Sequence, residues 1–189
     1  MGYAIAQAAA NMGANVTLVS GATHLTAPKN VTNFSATSAD NMYLAVMKNI
    51  NAQDVFIAVA AVADYSPAKP SAQKIKKNDQ ENNIKPLNIV LKRNKDILAE
   101  VASLPNAPFC VGFAAETQDL LTLAEQKRIA KKLPLLVANL VSESMGQDEA
   151  SVTLLDAAGA HPLARASKAD VAAQLLTHLA NMLNNKHVK

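Results

Sequence analysis

Two nearly unbroken apolar runs, residues 55–62 and 109–115, constrain this chain most. A strand with one face in water alternates apolar and polar residues, whereas a parallel strand covered on both faces reads as a continuous apolar stretch. Segments with helical spacing surround these runs. Ile5, Ala8, Ala9 and Met12 share one face of a first helix, which Gly13 is placed to close. Ser38 caps a second, with Tyr43, Val46, Met47 and Ile50 on its apolar face. Further helices are expected over about 96–102 and, from a cap at Thr117, to about 132. A last one follows the capping-box pattern Ser167-Lys-Ala-Asp170 and carries Val171, Leu175, Leu179 and Met182 on one stripe. Shorter strands are expected at 15–20, 31–36, 87–91, 135–141 and 152–155. Strands alternating with helices specify an α/β fold, a Rossmann-like, mainly parallel sheet flanked by helices.

One feature of this order is unusual. Such domains open with a strand, and this sequence opens with a helix, so either the sheet has no opening strand or that strand is missing. No Gly-x-Gly-x-x-Gly follows a first strand, which disfavours a nicotinamide dehydrogenase.

A length of 189 residues suits one domain, and 50% hydrophobic against 17% charged residues argues for a packed core rather than disorder. The net charge of +3 is too mild to imply nucleic acid as a partner. The single cysteine, Cys110, has no internal disulfide partner, favouring a reducing compartment, and no zinc-ligand spacing is present. Without a signal-peptide start or an apolar stretch of about 20 residues, no membrane is expected and the cytoplasm is the expected location. Cys110 sits within an apolar run and reads as a core residue rather than a nucleophile. The histidines are scattered and form no evident triad or metal motif, and His178 reads as helix surface.

Ligands of open parallel sheets bind beyond the carboxyl ends of the strands. Asp64 follows the first apolar run and Glu116 the second, which puts both on that rim, as ligand contacts or as turn and helix caps. Residues 66–85 change to Pro, Lys, Asn and Gln and read as a mobile loop. Its Lys69, Lys74, Lys76 and Lys77 suit either a flap over a polyphosphate or a solvated loop. On the helix after Thr117, Lys127 and Lys131 fall beside the apolar face of Leu120, Leu121 and Ala124, either snorkelling past the core or reaching an anion. The far end of such a helix usually points away from the strand-end rim, a tension that a neighbouring subunit or a bent helix would resolve.

Taken in order, six segments carry a resemblance: Met1-Gly-Tyr-Ala-Ile-Ala6, Gly13-Ala-Asn-Val-Thr-Leu-Val-Ser-Gly21, Ala60-Ala-Val-Ala-Asp-Tyr65, Lys74-Ile-Lys-Lys77, Val111-Gly-Phe-Ala-Ala-Glu116 and Ala138-Asn139. From Met1 to about Leu183 the chain resembles the synthetase domain of bacterial phosphopantothenate–cysteine ligases, with residues 184–189 as a tail. The resemblance implies joining of 4'-phosphopantothenate to cysteine with CTP as co-substrate, through an acyl-cytidylate, releasing pyrophosphate and CMP in coenzyme A biosynthesis. It also implies Mg2+, a homodimer, and a flavin-dependent decarboxylase that is fused or separate.

The same resemblance assigns roles. Lys74 would be catalytic, closing on the reacting phosphate. Nucleotide contacts would come from Asp64, Lys74, Lys95, Asp96, Ile97, Leu98, Phe113, Lys127 and Lys131, and substrate contacts from Ala60 and Ala61. Lys95 stands where the family has proline. The family also places a strand, a loop and an Asn-x-Ser-Ser-Gly-Lys segment ahead of the Met-Gly pair, and none of these is in this sequence. The first strand is therefore expected to be missing, and a nucleotide-binding fragment without turnover is the alternative to a working ligase.

Overall fold

A computed structural model describes residues 1–75, 87–116, 119–140 and 148–187. Helix α1 (Gly2–Asn11) ends as its spacing predicts. Gly13 takes φ 88°, its N–H donates to the Ala10 carbonyl and that of Ala14 to the Ala9 carbonyl. This pairing satisfies the last turn and turns the chain into strand β1 (Val16–Ser20), which pairs in parallel with β2 (Val31–Ser35). Ser38 caps α2 (Ala39–Asn49) by accepting from the Asn41 N–H at 3.1 Å. A short 3-10 turn at Ile50–Ala52 leads into β3 (Val55–Ala58).

The loop expected from residue 66 instead begins as a strand. β4 (Tyr65–Pro67) pairs antiparallel with β5 (Leu91–Arg93), the latter shifted from the expected 87–91. Residues 76–86, which hold Lys76, Lys77 and the rest of the expected flap, lie outside the described residues. Asp96 caps α3 (Ile97–Ala102) through a 3.0 Å bond from the Ala99 N–H. After β6 (Phe109–Glu116), helix α4 runs over Leu120–Ala130; its expected cap, Thr117, also lies outside the described residues. β7 (Leu135–Leu140), β8 (Glu149–Asp156), β9 (Gly159–Ser167) and α5 (Lys168–His187) complete the chain. The Ser167 hydroxyl accepts from the Asp170 N–H and donates to its carboxylate, as the capping pattern predicts. Helix α5 continues past residue 184, where a tail is expected.

The main sheet has five strands in the order β3-β6-β7-β8-β9, with β3, β6 and β7 parallel and the last two pairings antiparallel. It is therefore mixed, not mainly parallel. The unexpected strand is β9, whose His161, Pro162 and Arg165 break the apolar pattern that marks a covered strand. None of its residues is fully buried, so it lacks the apolar signal of a covered strand. Two packed clusters cover the sheet. Met42, Val46, Leu98, Val101 and Ala124 from the helices meet one face, and Val171, Leu175 and Leu179 of α5 meet the other.

Gly112 sets how closely α3 can approach. A Cβ there would lie 2.8 Å from Leu133 Cδ1 and Leu136 Cδ1 and 3.0 Å from Leu98 Cδ2. The glycine of the Val-Gly-Phe segment thus lets Leu98, the second residue of α3, pack against β6.

Strands β1 and β2 form a separate sheet. β3 is also shorter than the expected 55–62, and all four of its residues are half-buried. Among the described residues it pairs only with β6, and its other edge faces β1 across a cavity that both strands line.

Candidate active site

The rim beyond β3 is organised by Asn94. Its backbone N–H donates to the Asp64 carbonyl at 2.8 Å, its side-chain amide donates to the Ala63 carbonyl at 2.8 Å, and its side-chain oxygen accepts from the Ser66 hydroxyl at 2.7 Å. These bonds fix residues 63–66 against the start of α3. The β4–β5 pair continues directly from Asp64 on one strand and into Asn94 on the other. Beyond the pair, the Ala68 N–H donates to the Val90 carbonyl at 2.9 Å.

Asp96 has two partners. One carboxylate oxygen caps α3, and the other accepts from the Lys131 ammonium at 2.6 Å. Burial acting alone would raise this carboxyl, but the Lys131 ammonium and the Ala99 N–H outweigh it and hold Asp96 below the usual carboxylate range. Lys131 is delivered by the end of α4. Lys132 adopts φ 53°, and the N–H groups of Lys132 and Leu133 return to the Ile129 and Arg128 carbonyls. The C-terminus of α4 therefore meets the N-terminus of α3 within one chain, which removes the tension raised by helix direction without a second subunit. Lys95 extends its ammonium over the Tyr43 ring, 3.9 Å from the centroid, and Tyr43 donates to Glu100 at 2.8 Å.

These groups open onto one cavity of about 1050 Å³. Asp64, Lys95, Asp96, Ile97, Leu98, Phe113, Lys127 and Lys131 all line it, as do Ala60 and Ala61. Ten expected site residues, drawn from four stretches of sequence, are thus brought together. Lys74 is exposed and is not among the lining residues. Glu116 closes β6, and its side chain is outside the described set. β1 and β3 both line the cavity, and Asp64, Arg93, Asn94 and Lys127 are among its polar and charged lining residues.

Arg93 and Asn94 are lining residues that the sequence analysis misses. Their signal was present in the dense run Lys92-Arg93-Asn94-Lys95-Asp96 just ahead of a helix. Cys110 behaves as a core residue: its thiol bonds to the Pro108 carbonyl at 3.4 Å, and burial pushes it up to about 11. The histidines are a further difference. His161 on β9 and His178 on α5 both reach Asp156 at the end of β8, outside the cavity lining. No described helix is long and apolar enough to cross a membrane.

A model of the family described as DNA/pantothenate metabolism flavoprotein C-terminal domain (DFP) matches residues 1–183. The chain is 42% identical over 189 residues to the coenzyme A biosynthesis bifunctional protein CoaBC of Vibrio vulnificus strain CMCP6, covering 98% of this chain and 46% of that protein. It is 46% identical over 144 residues to the protein of the same name from Escherichia coli K12, covering 76% of this chain and 35% of that one. The chain thus spans less than half the length of these relatives. Among solved structures, the crystal structure of the C-terminal domain of a CoaBC bifunctional protein superposes with a TM-score of 0.80 at 33% identity, over 97% of this chain and 82% of that one. The DNA/pantothenate metabolism flavoprotein from Streptococcus pneumoniae, at 17% identity and a TM-score of 0.76 over 95% and 86% of the two chains, shares the fold.

Proposed function

We propose that this chain, which belongs to the DNA/pantothenate metabolism flavoprotein C-terminal domain family, carries the phosphopantothenate–cysteine ligase reaction of coenzyme A biosynthesis. The observation that carries the reading is the single cavity into which Asp64, Asp96, Phe113, Lys127 and Lys131 converge beside Ala60 and Ala61. A nucleoside triphosphate needs cations for its phosphates and an apolar wall for its base, and this cavity supplies both within one chain.

In the proposed reaction the carboxylate of 4'-phosphopantothenate attacks the α-phosphorus of CTP. Pyrophosphate leaves and an acyl-cytidylate remains. The amine of cysteine then attacks the acyl carbon, CMP leaves, and the amine proton passes to solvent. Lys127 and Lys131 stabilise the phosphates. Lys131 is positioned by Asp96 and, as an ammonium, keeps further N–H donors for phosphate oxygens. Phe113 lines the base pocket, and the backbone at Ala60 and Ala61 binds the acyl substrate. Lys74 lies on the segment anchored by the β4–β5 pair, and closure of that segment brings its ammonium to the reacting phosphate and shields the mixed anhydride from water.

The cavity suits Mg2+, which prefers one or two carboxylates together with substrate phosphates. Both oxygens of Asp96 are engaged, which leaves the exposed Asp64 as the carboxylate to hold the ion among the described lining residues. When bound, the ion would neutralise charge on the triphosphate.

A second reading is nucleotide binding without turnover, and the separation of β1 from β3 favours it. A parallel strand between them would join the two sheets into one. In this reading the missing first strand, with its Asn-containing segment, completes the substrate side. A homodimer and a fused or separate decarboxylase remain part of the proposal. The test is release of CMP and pyrophosphate from CTP on adding 4'-phosphopantothenate and cysteine, in the given chain and in a form extended upstream of Met1. Turnover that Lys74→Ala abolishes supports the ligase. CTP binding without turnover in the given chain, with turnover in the extended form, supports the second reading. CTP binding without turnover in both forms counts against the ligase, and indifference to Lys74→Ala removes the flap role.

A further inference from the structure

Asp156, His161 and His178 come from three elements and meet at one point. Asp156 ends β8, only 7% of its side chain is exposed, and both of its oxygens are engaged by imidazoles. His161 Nε2 on β9 lies 3.1 Å from one oxygen, and His178 Nε2 on α5 lies 2.9 Å from the other. The two rings stand 4.9 Å apart, tilted by 50°. One ligand atom from each of the three residues falls within 4.8 Å of the other two. Both histidines keep partial contact with solvent, 38% for His161 and 25% for His178, so the site has an approach path.

We propose that Asp156, His161 and His178 form a binding site for a first-row divalent cation of the zinc type. Two imidazole nitrogens and one carboxylate oxygen are the donor set that zinc, cobalt and nickel accept, whereas magnesium and calcium prefer oxygen alone. Ligand atoms of a tetrahedral zinc site lie about 3.3 Å apart at the usual bond lengths. Each imidazole nitrogen lies 2.9–3.1 Å from a different oxygen of Asp156, and ligand atoms that now fall within 4.8 Å of one another would draw together around the ion. On uptake each Nε2 gives its lone pair to the cation, and a proton held there passes to solvent. The fourth position is left to water.

The surrounding charges permit a cation. Arg128 interacts with Asp156, but a bidentate pair with Glu125, at 2.7 Å for both bonds, compensates its guanidinium. The Ala158 N–H donates to Asp156 at 2.7 Å and fixes the carboxylate at the β8–β9 turn. None of the three ligands lines the large cavity. The cation therefore has a structural role, tying the β8–β9 hairpin to the C-terminal helix.

The experiment is titration of chelator-treated protein with Co2+ and then Zn2+, followed by calorimetry, visible absorption and thermal unfolding. Expected are one equivalent of Co2+ with d–d absorption, displacement of that spectrum by Zn2+, and a higher thermal midpoint with Zn2+. His161→Gln, which retains a hydrogen-bond donor for Asp156, weakens Zn2+ binding by about tenfold or more. The double change His161→Gln/His178→Gln removes both the spectrum and the midpoint shift. Absence of saturable binding in the unaltered protein overturns the proposal, and so does binding that the folded double variant retains.

Discussion

The two sides of β3 are built from similar sequence and finish differently. On one side, β6, β7 and β8 have neighbours at both edges, and Val111, Ala114, Leu135, Leu136, Ala138 and Leu154 are all completely buried. On the other, β1 buries only Ser20, and β3 buries none of its residues fully. Val16, Leu18 and Val19 are as apolar as their counterparts in β7. Apolar sequence supplies the tendency to bury, but paired edges and covering helices decide whether burial is completed. The cavity occupies the frontier between the two halves, where unpaired backbone and polar strand ends are accessible to a ligand.

The largest expected effect tests this contrast directly. Leu136→Ala removes a fully buried side chain and should cost about 2–5 kcal/mol, measured by urea unfolding. Leu18→Ala, in half-buried β1, should cost roughly 1 kcal/mol or less, because less area leaves water on folding. Equal losses would break the comparison. If the Leu18→Ala loss grows in a form extended upstream of Met1, the open half is one that a further strand closes.

Next in size is Gly112→Ala. Three leucine methyl groups lie within 3.0 Å of the new Cβ and must shift, so overpacking of about 1–3 kcal/mol is expected. The strain acts on Leu98 and hence on α3, whose capping residue Asp96 holds Lys131. Weaker CTP binding should therefore accompany the lost stability. A stability loss with unchanged CTP affinity would separate the packing of β6 from the geometry of the cavity.

How much of this was legible follows the same division. Helix ends with local chemistry could be read directly: Gly13, Ser38 and Ser167 each act where their residue type predicts, and Asp96 adds a cap that was not expected. The run at 109–115 became a buried strand and the run at 55–62 a strand over its first half only, half-buried, because continuous apolarity is a local signal but burial depends on what covers it. β9 stayed hidden because none of its residues is fully buried, so neither an apolar run nor a clear alternation marks it in the sequence. The convergence of Lys127 and Lys131 on Asp96 depends on two helix ends meeting across a long sequence separation. Helix periodicity singled out those lysines and the resemblance named their role, whereas the usual direction of a helix's far end argued against it. Arg93 and Asn94 were missed because their importance lies in bonds to residues 63–66, which no spacing rule encodes. Likewise, no local motif joins His161 and His178; only the hairpin and α5 bring them to Asp156.

On the open side of the molecule, Lys127→Ala and Lys131→Ala should change ligand binding more than stability. The Lys131–Asp96 pair is partly exposed, at 22% and 44%, so its contribution to folding is about 1 kcal/mol or less. A charge-assisted bond to phosphate contributes roughly 1.5–3 kcal/mol, which puts the loss of CTP affinity at about tenfold or more for each lysine. Calorimetric titration with CTP checks this, and a stability loss larger than the affinity loss would move both lysines from ligand contact to scaffold.

The smallest effect is a pH dependence that isolates Asp96. Its carboxyl is held below the usual range in the folded protein, so the folded state favours the ionised form more than the unfolded chain does. The resulting stability is fully present above the unfolded carboxylate range and is lost as pH falls through the lower folded value. Asp96→Asn removes this contribution while leaving an oxygen that can still cap α3. Unfolding curves of the two proteins should therefore differ slightly near neutral pH and converge in acid. Exposure of the pair keeps the difference small. Asp96→Asn should also release Lys131 from its fixed position, weakening CTP binding near neutral pH. A variant equal to the original protein in both respects at neutral pH would show that the Asp96–Lys131 contact positions nothing, and that the cavity's cations are placed by the end of α4 alone.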